Sequence, residues 1–144
     1  MFDVDTCVCF ITNKVSKKMA DKMNERLMLV GSTRVQWLVM YYLLKDGQMS
    51  QSDLAKKMNI KDSTVVRLID RIEKDEFIKR VKNSKDRRIT YVTLTEKGKK
   101  RIEELLSVGE EMSKVFSKNI SDEEFEVFNR VLKKMAENAE NTEI

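Results

Sequence analysis

Residues 50–95 read SQSDLAKKMNIKDSTVVRLIDRIEKDEFIKRVKNSKDRRITYVTLT, and this stretch decides how the rest of the chain is understood. Ser50 and Asp53 form an S-x-x-D pattern, which predicts a capping box satisfying two orphan amides as a helix opens on Gln51. Leu54, Ala55 and Met58 share its buried side. Asn59, tolerant of a left-handed backbone, is expected to end it, and Ile60 turns the chain onward. A second helix is predicted from Asp62 or Ser63 to about Asp75. There Val65, Leu68, Ile69 and Ile72 fall three and four apart on one stripe.

That stripe leaves Ser63, Thr64, Arg67, Asp70, Arg71 and Lys74 on the outside. Small hydroxyls near a helix N-terminus can reach base edges, and an arginine can fork onto guanine. The helix dipole also favours phosphate. The same face fits an ordinary solvated amphipathic helix, so the segment that follows carries the decision. Phe77–Lys82 and Ile89–Leu94 read as two strands joined by Asn83, Ser84, Lys85, Asp86, Arg87 and Arg88, and Asn-Ser-Lys-Asp is turn chemistry. Six basic residues and one acid lie between Lys79 and Arg88, more charge than a hairpin needs for solubility. A basic hairpin tip beside such a helix matches a phosphate backbone. Two short helices and a basic hairpin, in that order, make a winged helix-turn-helix.

The motifs resemble the MarR (multiple antibiotic resistance regulator) family of winged-helix transcription factors over essentially the whole chain. The residues that carry the resemblance are Ser50-Gln51-x-Asp53-Leu54-Ala55, Val66 to Glu73, Asp86-Arg87-Arg88, and Leu94-Thr95-Glu96-Lys97-Gly98. The D-x-R wing followed by L-T-x-x-G is the specific part. The resemblance implies that Arg88 is the wing-tip side chain entering the minor groove and that Asp86 holds the wing's shape. It also implies that Ser63, Thr64 and Arg67 face the major groove and that Arg71 takes a phosphate. Lys74, Lys85 and Arg87 complete the expected DNA-binding set. Glu76 departs from the family, which usually has glycine after the recognition helix. If that position is left-handed, Glu76 costs about 1 kcal/mol relative to glycine.

Composition narrows the alternatives. At 144 residues with no proline and four glycines, the chain is one domain's worth of largely helical material. The net charge of +4 is polarised: +3 over residues 1–60, +7 over 61–101 and −6 over 102–144. The excess sits on the expected DNA reader. No stretch approaches the roughly 18 uninterrupted apolar residues of a membrane span, and no signal-peptide hydrophobic region is evident. The expectation is a cytoplasmic protein without membrane association. Histidine is absent, two cysteines cannot close a metal site in one chain, and no glycine-rich phosphate loop occurs. Neither an enzyme, nor a metal site, nor a cofactor is expected.

Around the reader, Val8, Ile11, Val15, Met19, Met23, Leu27 and Val30 mark a long amphipathic helix from Val4 to Val30, ended by Gly31. A helix from about Arg34 to Leu44 is apolar nearly all round and is expected at the subunit's centre. After the wing, Thr95 is expected to cap a helix carrying Ile102, Leu105, Leu106, Met112, Val115 and Phe116. Its start holds Lys97, Lys99, Lys100 and Arg101, four cations that oppose the dipole unless a phosphate backbone or solvent receives them. Ser121 and Glu124 form a second capping box before a stripe of Phe125, Phe128, Val131, Leu132, Met135 and Ala139. The domain reading is therefore a winged-helix DNA-binding domain over 32–101, with dimerisation helices over 1–31 and 102–144. As in the family, these would pair two copies on a pseudo-palindromic operator.

Two further features bear on regulation. Trp37, Tyr41 and Tyr42 are candidates to line a pocket for a small aromatic or anionic effector, as in the regulators the chain resembles. They also fit as ordinary core aromatics, each with one hydrogen-bond partner. Cys7 and Cys9, two residues apart at a helix start, point to opposite sides and suit no intrahelical disulfide. Cys9-Phe10 resembles, in a local match running to Met19, the reactive-cysteine region of the organic-hydroperoxide-sensing branch. That implies a thiolate whose oxidation releases DNA, against a plain structural cysteine. The expected function is a homodimeric, sequence-specific DNA-binding repressor responsive to a ligand or oxidant; the competing class is a protein-binding winged-helix module that does not bind DNA.

Overall fold

In a computed structural model, residues 1–143 are described. They run α1 (Val8–Met28), α2 (Arg34–Asp46), β1 (Met49–Ser50), α3 (Gln51–Met58), α4 (Asp62–Lys74), β2 (Ile78–Lys82), β3 (Thr90–Leu94), α5 (Glu96–Phe116) and α6 (Asp122–Glu140). The chain is mainly helical with a small antiparallel sheet. It divides into two compact units, Met1–Met112 and Ser113–Ile144.

The first unit is built around Val39 and Leu43 of α2, Leu54 and Ala55 of α3, Val65, Ile69 and Ile72 of α4, and Ile78 and Val92 of the strands. Removing these apolar side chains from water holds the short helices α3 and α4 in place, since helices of 8 and 13 residues are marginal alone. Thr33 opens α2 with a complete capping box: its hydroxyl accepts from the Gln36 amide, and the Gln36 side chain accepts from the Thr33 amide. Asn59 ends α3 at φ 53°, the left-handed stop its sequence position predicts.

The sheet has three strands, in the order β1-β3-β2. The two-residue β1 escapes periodicity, and it corrects the two-stranded wing. Met49 pairs with Val92 and Ser50 with Tyr91, so the central strand β3 holds both the wing and the start of α3. This also corrects the capping box at Ser50. Its hydroxyl accepts from the Asp53 amide at 3.1 Å, but its backbone belongs to the strand pairing and Asp53 makes no return bond. The first helix starts at Val8, four residues later than its apolar spacing suggests, with Cys7 as its N-cap.

The L-T-x-x-G pattern has a direct physical explanation. Thr95 donates its hydroxyl to the Glu76 carbonyl at 2.6 Å, donates its amide to the Phe77 carbonyl at 3.1 Å, and accepts from the Gly98 amide at 3.0 Å. One threonine thereby ties the end of the recognition segment to the start of α5. Gly98 lies so close that a Cβ there would stand 1.8 Å from the Phe77 carbonyl oxygen. Only glycine fits.

Two of the four cations at the start of α5 are held inside the chain. Lys97 donates to the Asp75 carbonyl at 2.9 Å and lies 5.2 Å from the centre of the Phe77 ring. Arg101 donates to the Val30 carbonyl, satisfying the C-terminal end of α1. Lys99 and Lys100 remain exposed. Arg26 of α1 also forks onto Glu111 of α5, and this hydrogen bond and charge lower the Glu111 carboxyl below its ordinary value.

In the second unit, Ser121 opens α6 with both halves of its capping box formed. Val127, Phe128, Val131 and Leu132 lie exposed along that helix, and none of its residues is buried. In the first unit Val8, Phe10, Ile11, Val15 and Met19 leave a comparable apolar row exposed on α1.

Candidate nucleic-acid interface

The buried stripe of α4 fixes which of its residues look outward. Val65, Ile69 and Ile72 are fully inside, so Ser63, Thr64, Arg67, Arg71 and Lys74 are all exposed. Among the described residues, none of these five side chains makes a hydrogen bond or ion pair. They form a polar row whose donors are free for an external partner. Ser63 and Thr64 sit in the first turn, where the amides and the helix dipole favour an anion.

The wing tip is shaped by two side chains. Asn83 accepts from the amides of Lys85 at 2.8 Å and Asp86 at 3.1 Å, making an Asx turn, and donates to the Tyr91 hydroxyl at 3.2 Å. Asp86 then accepts from the Arg88 amide at 3.0 Å, from Arg88 Nε at 3.1 Å and from the Arg88 terminal nitrogen at 3.0 Å. The Asp86 carboxylate is half-buried while the Arg88 side chain is 90% exposed. This clamp sets the direction of the arginine and leaves its outer edge available. The side-chain hydrogen bond and then the backbone bond from Arg88 lower the Asp86 carboxyl below the ordinary aspartate value. Arg88 is raised in return by the same pairing. Lys85 and Arg87 flank the clamp, both exposed.

A groove of about 490 Å³ lies between the start of α4 and the base of the wing, bordered by Gln51, Asp62, Val66, Arg88 and Thr90. Arg88 thus borders a depression whose other side includes Asp62 and Val66 of α4. The recognition row is positioned by the buried side of α4, and the wing arginine by its own clamp.

One cation counted with the wing does not belong to this surface. Arg80 turns back onto α3 and α4, binding Gln51, Asp70, Glu73 and the Val66 carbonyl. Charge counting cannot separate it from Lys79 or Lys82. Strand alternation from buried Ile78 separates it from Lys79, but Lys82 falls on the same side, so the sequence does not single it out.

The residues proposed for regulation are placed as follows. Trp37 donates its indole N–H to the Leu105 carbonyl at 3.0 Å and stacks on Tyr41 with ring centres 5.1 Å apart. Gly109 makes room for it, since a Cβ there would lie 2.7 Å from the indole ring. Tyr42 packs against the core beneath Lys57, whose ammonium lies 5.7 Å from the ring centre. Cys7 is half-buried, Cys9 is exposed, and both are free thiols. No helix among the described residues is long and apolar enough to cross a membrane.

Comparison with known proteins places this geometry. The MarR family model matches residues 32–90, from two residues before α2 to the first residue of β3. The chain is 29% identical over 143 residues to the HTH-type transcriptional repressor MdtR of Bacillus subtilis, covering 99% of this chain and 90% of that protein. It is 30% identical over 120 residues to the repressor YetL of the same organism, covering 82% and 72%. Among solved structures, the MepR–DNA complex of S. aureus superposes with a TM-score of 0.83 at 27% identity, covering 92% of this chain and 98% of that one. With the winged helix, the exposed recognition row and the clamped wing arginine all in place, the chain belongs to the MarR family of DNA-binding transcriptional regulators and is not an enzyme.

Proposed function

We propose that the protein is a homodimeric repressor that reads a pseudo-palindromic operator and releases it in response to a small molecule or oxidant. The observation that carries the DNA-reading part is the pairing of a free polar row on α4 with an arginine held outward at the wing tip. Ser63, Thr64 and Arg67 meet base edges in the major groove, Arg71 and Lys74 meet phosphate, and Arg88 enters the adjacent minor groove with Lys85 and Arg87 on the backbone. The exposed apolar rows of α1 and α6 are covered by a second copy, which sets two recognition helices about 34 Å apart. Repression is supported by the repressor names of MdtR and YetL. The effector acts through the Trp37, Tyr41 and Tyr42 cluster or through oxidation of Cys9 or Cys7. No cofactor or metal takes part.

The test is selection of bound fragments from random duplex DNA, followed by titration of the recovered operator over a range of salt. Arg67→Ala should cost about 1–3 kcal/mol and relax specificity at one base position, whereas Arg88→Ala should weaken binding most at A·T-rich flanks. Equal loss on every sequence from Arg67→Ala would make it a phosphate contact only. Affinity should fall steeply with ionic strength; failure to bind any duplex at low salt would point instead to a protein-binding module. Repeating the selection with peroxide and with a panel of aromatic acids tests the two routes of release.

A further inference from the structure

Arg80 carries a charge that the DNA surface does not use, although it lies in the most basic segment of the chain. It is the third residue of β2, opposite Val92, and its side chain is 23% exposed. Its Nε donates to Gln51 Oε1 at 2.9 Å, one terminal nitrogen to Glu73 Oε1 at 3.0 Å, and the other to the Val66 carbonyl at 3.2 Å and to Asp70 Oδ1. Its backbone amide donates to Glu73 Oε2 at 2.9 Å. That amide lies on the open edge of β2, away from β3, so Glu73 satisfies one edge amide as well as part of the guanidinium.

Four groups from two helices thus converge on one guanidinium in the wing. Gln51 belongs to the first turn of α3, and Val66, Asp70 and Glu73 belong to α4. A planar fork of five donors can satisfy such a set, and a lysine cannot reach them together. Ile78 and Val92 join the wing to α4 through the shared apolar core, and among the described residues the Arg80 cluster is the polar connection between them. It also neutralises Asp70 and Glu73, two carboxylates on the helix that carries Arg67, Arg71 and Lys74.

We infer that Arg80 is a positioning residue for DNA binding: it fixes the wing against α3 and α4, so that Arg88 and the recognition row engage one duplex together. Arg80 itself touches no DNA. The inference rests on the DNA-reading function proposed above, and the experiment separates the two.

The experiment is a double-mutant cycle on the selected operator with Arg80→Met and Arg88→Ala, read with hydroxyl-radical footprints of the minor groove and methylation protection of the major groove. In the wild-type background Arg88→Ala should cost about tenfold or more in affinity, and in the Arg80→Met background less than about threefold, because an unanchored wing has little left to lose. The minor-groove footprint should fade in Arg80→Met while major-groove protection persists. Loss of both footprints together, or an equal Arg88→Ala factor in the two backgrounds, overturns the inference and leaves DNA reading intact. Wild type that fails to bind duplex overturns both. Should Arg80→Met not fold, Arg80→Lys serves, since it keeps the charge without the fork. It should also shrink the Arg88→Ala factor, and an undiminished factor there overturns the inference.

Discussion

Glu76 stands at φ 61°, in the left-handed region that favours glycine. The Thr95 hydroxyl bonded to its carbonyl helps hold the backbone there, while the ion pair to Lys97 at 3.6 Å is exposed and adds little. Glu76→Gly should therefore raise stability by about 1 kcal/mol, seen as a higher urea midpoint with an unchanged slope. At the wing, Asp86→Asn should weaken operator binding because a neutral amide cannot hold the Arg88 fork; near-wild-type affinity would separate wing shape from this clamp. Because pairing lowers the Asp86 carboxyl, its contribution is present above the ordinary aspartate range and is lost only as pH falls through the lowered value. Operator affinity should then show no Asp86-linked change between about pH 5 and 8, which titration of wild type and variant side by side checks. The left-handed cost at Glu76 was legible in the sequence, since the position after the recognition helix was identifiable and glutamate was the unexpected residue. The role of Arg80 was not, because a run of cations does not reveal which of them faces an acid on another element.

At the level of elements, the amphipathic spacing of α4, the stop at Asn59 and the cap at Ser121 placed the helices within a few residues. These are local signals, carried by neighbours along one turn, and so survive without tertiary information. The strand β1 was invisible because two residues have no period, and its pairing removed half of the box expected at Ser50. The first helix began later than its apolar spacing because residues 4–6 form a turn, and a four-residue spacing alone does not tell a turn from a first helical turn. The close approach of Gly98 to Phe77 is likewise a contact between elements, although the glycine itself was marked by its motif. Gly98→Ala should be destabilised by about 3 kcal/mol or more, since the obstacle is a backbone carbonyl that cannot rotate away. Thermal unfolding measures this, and a shift of only a degree or two would mean that α5 can slide.

For the whole molecule, the polarised charge and the apolar stripes of α1 and α6 are both legible in the sequence. What covers those rows is a matter of assembly, and the test is direct. Phe128 is 52% exposed on α6, so Phe128→Asp should leave the single chain folded. It should convert the protein to a monomer in sedimentation and weaken operator binding by about 100-fold or more, through loss of the linked second site. A dimer that persists would move the interface elsewhere. The central place of β3 has a last consequence. Because one strand serves both hairpin partner and helix anchor, the hairpin is not a detachable accessory: a synthetic peptide of residues 78–94 should be unstructured in water, and transplanting the tip to another scaffold would require carrying the Met49–Ser50 lintel with it.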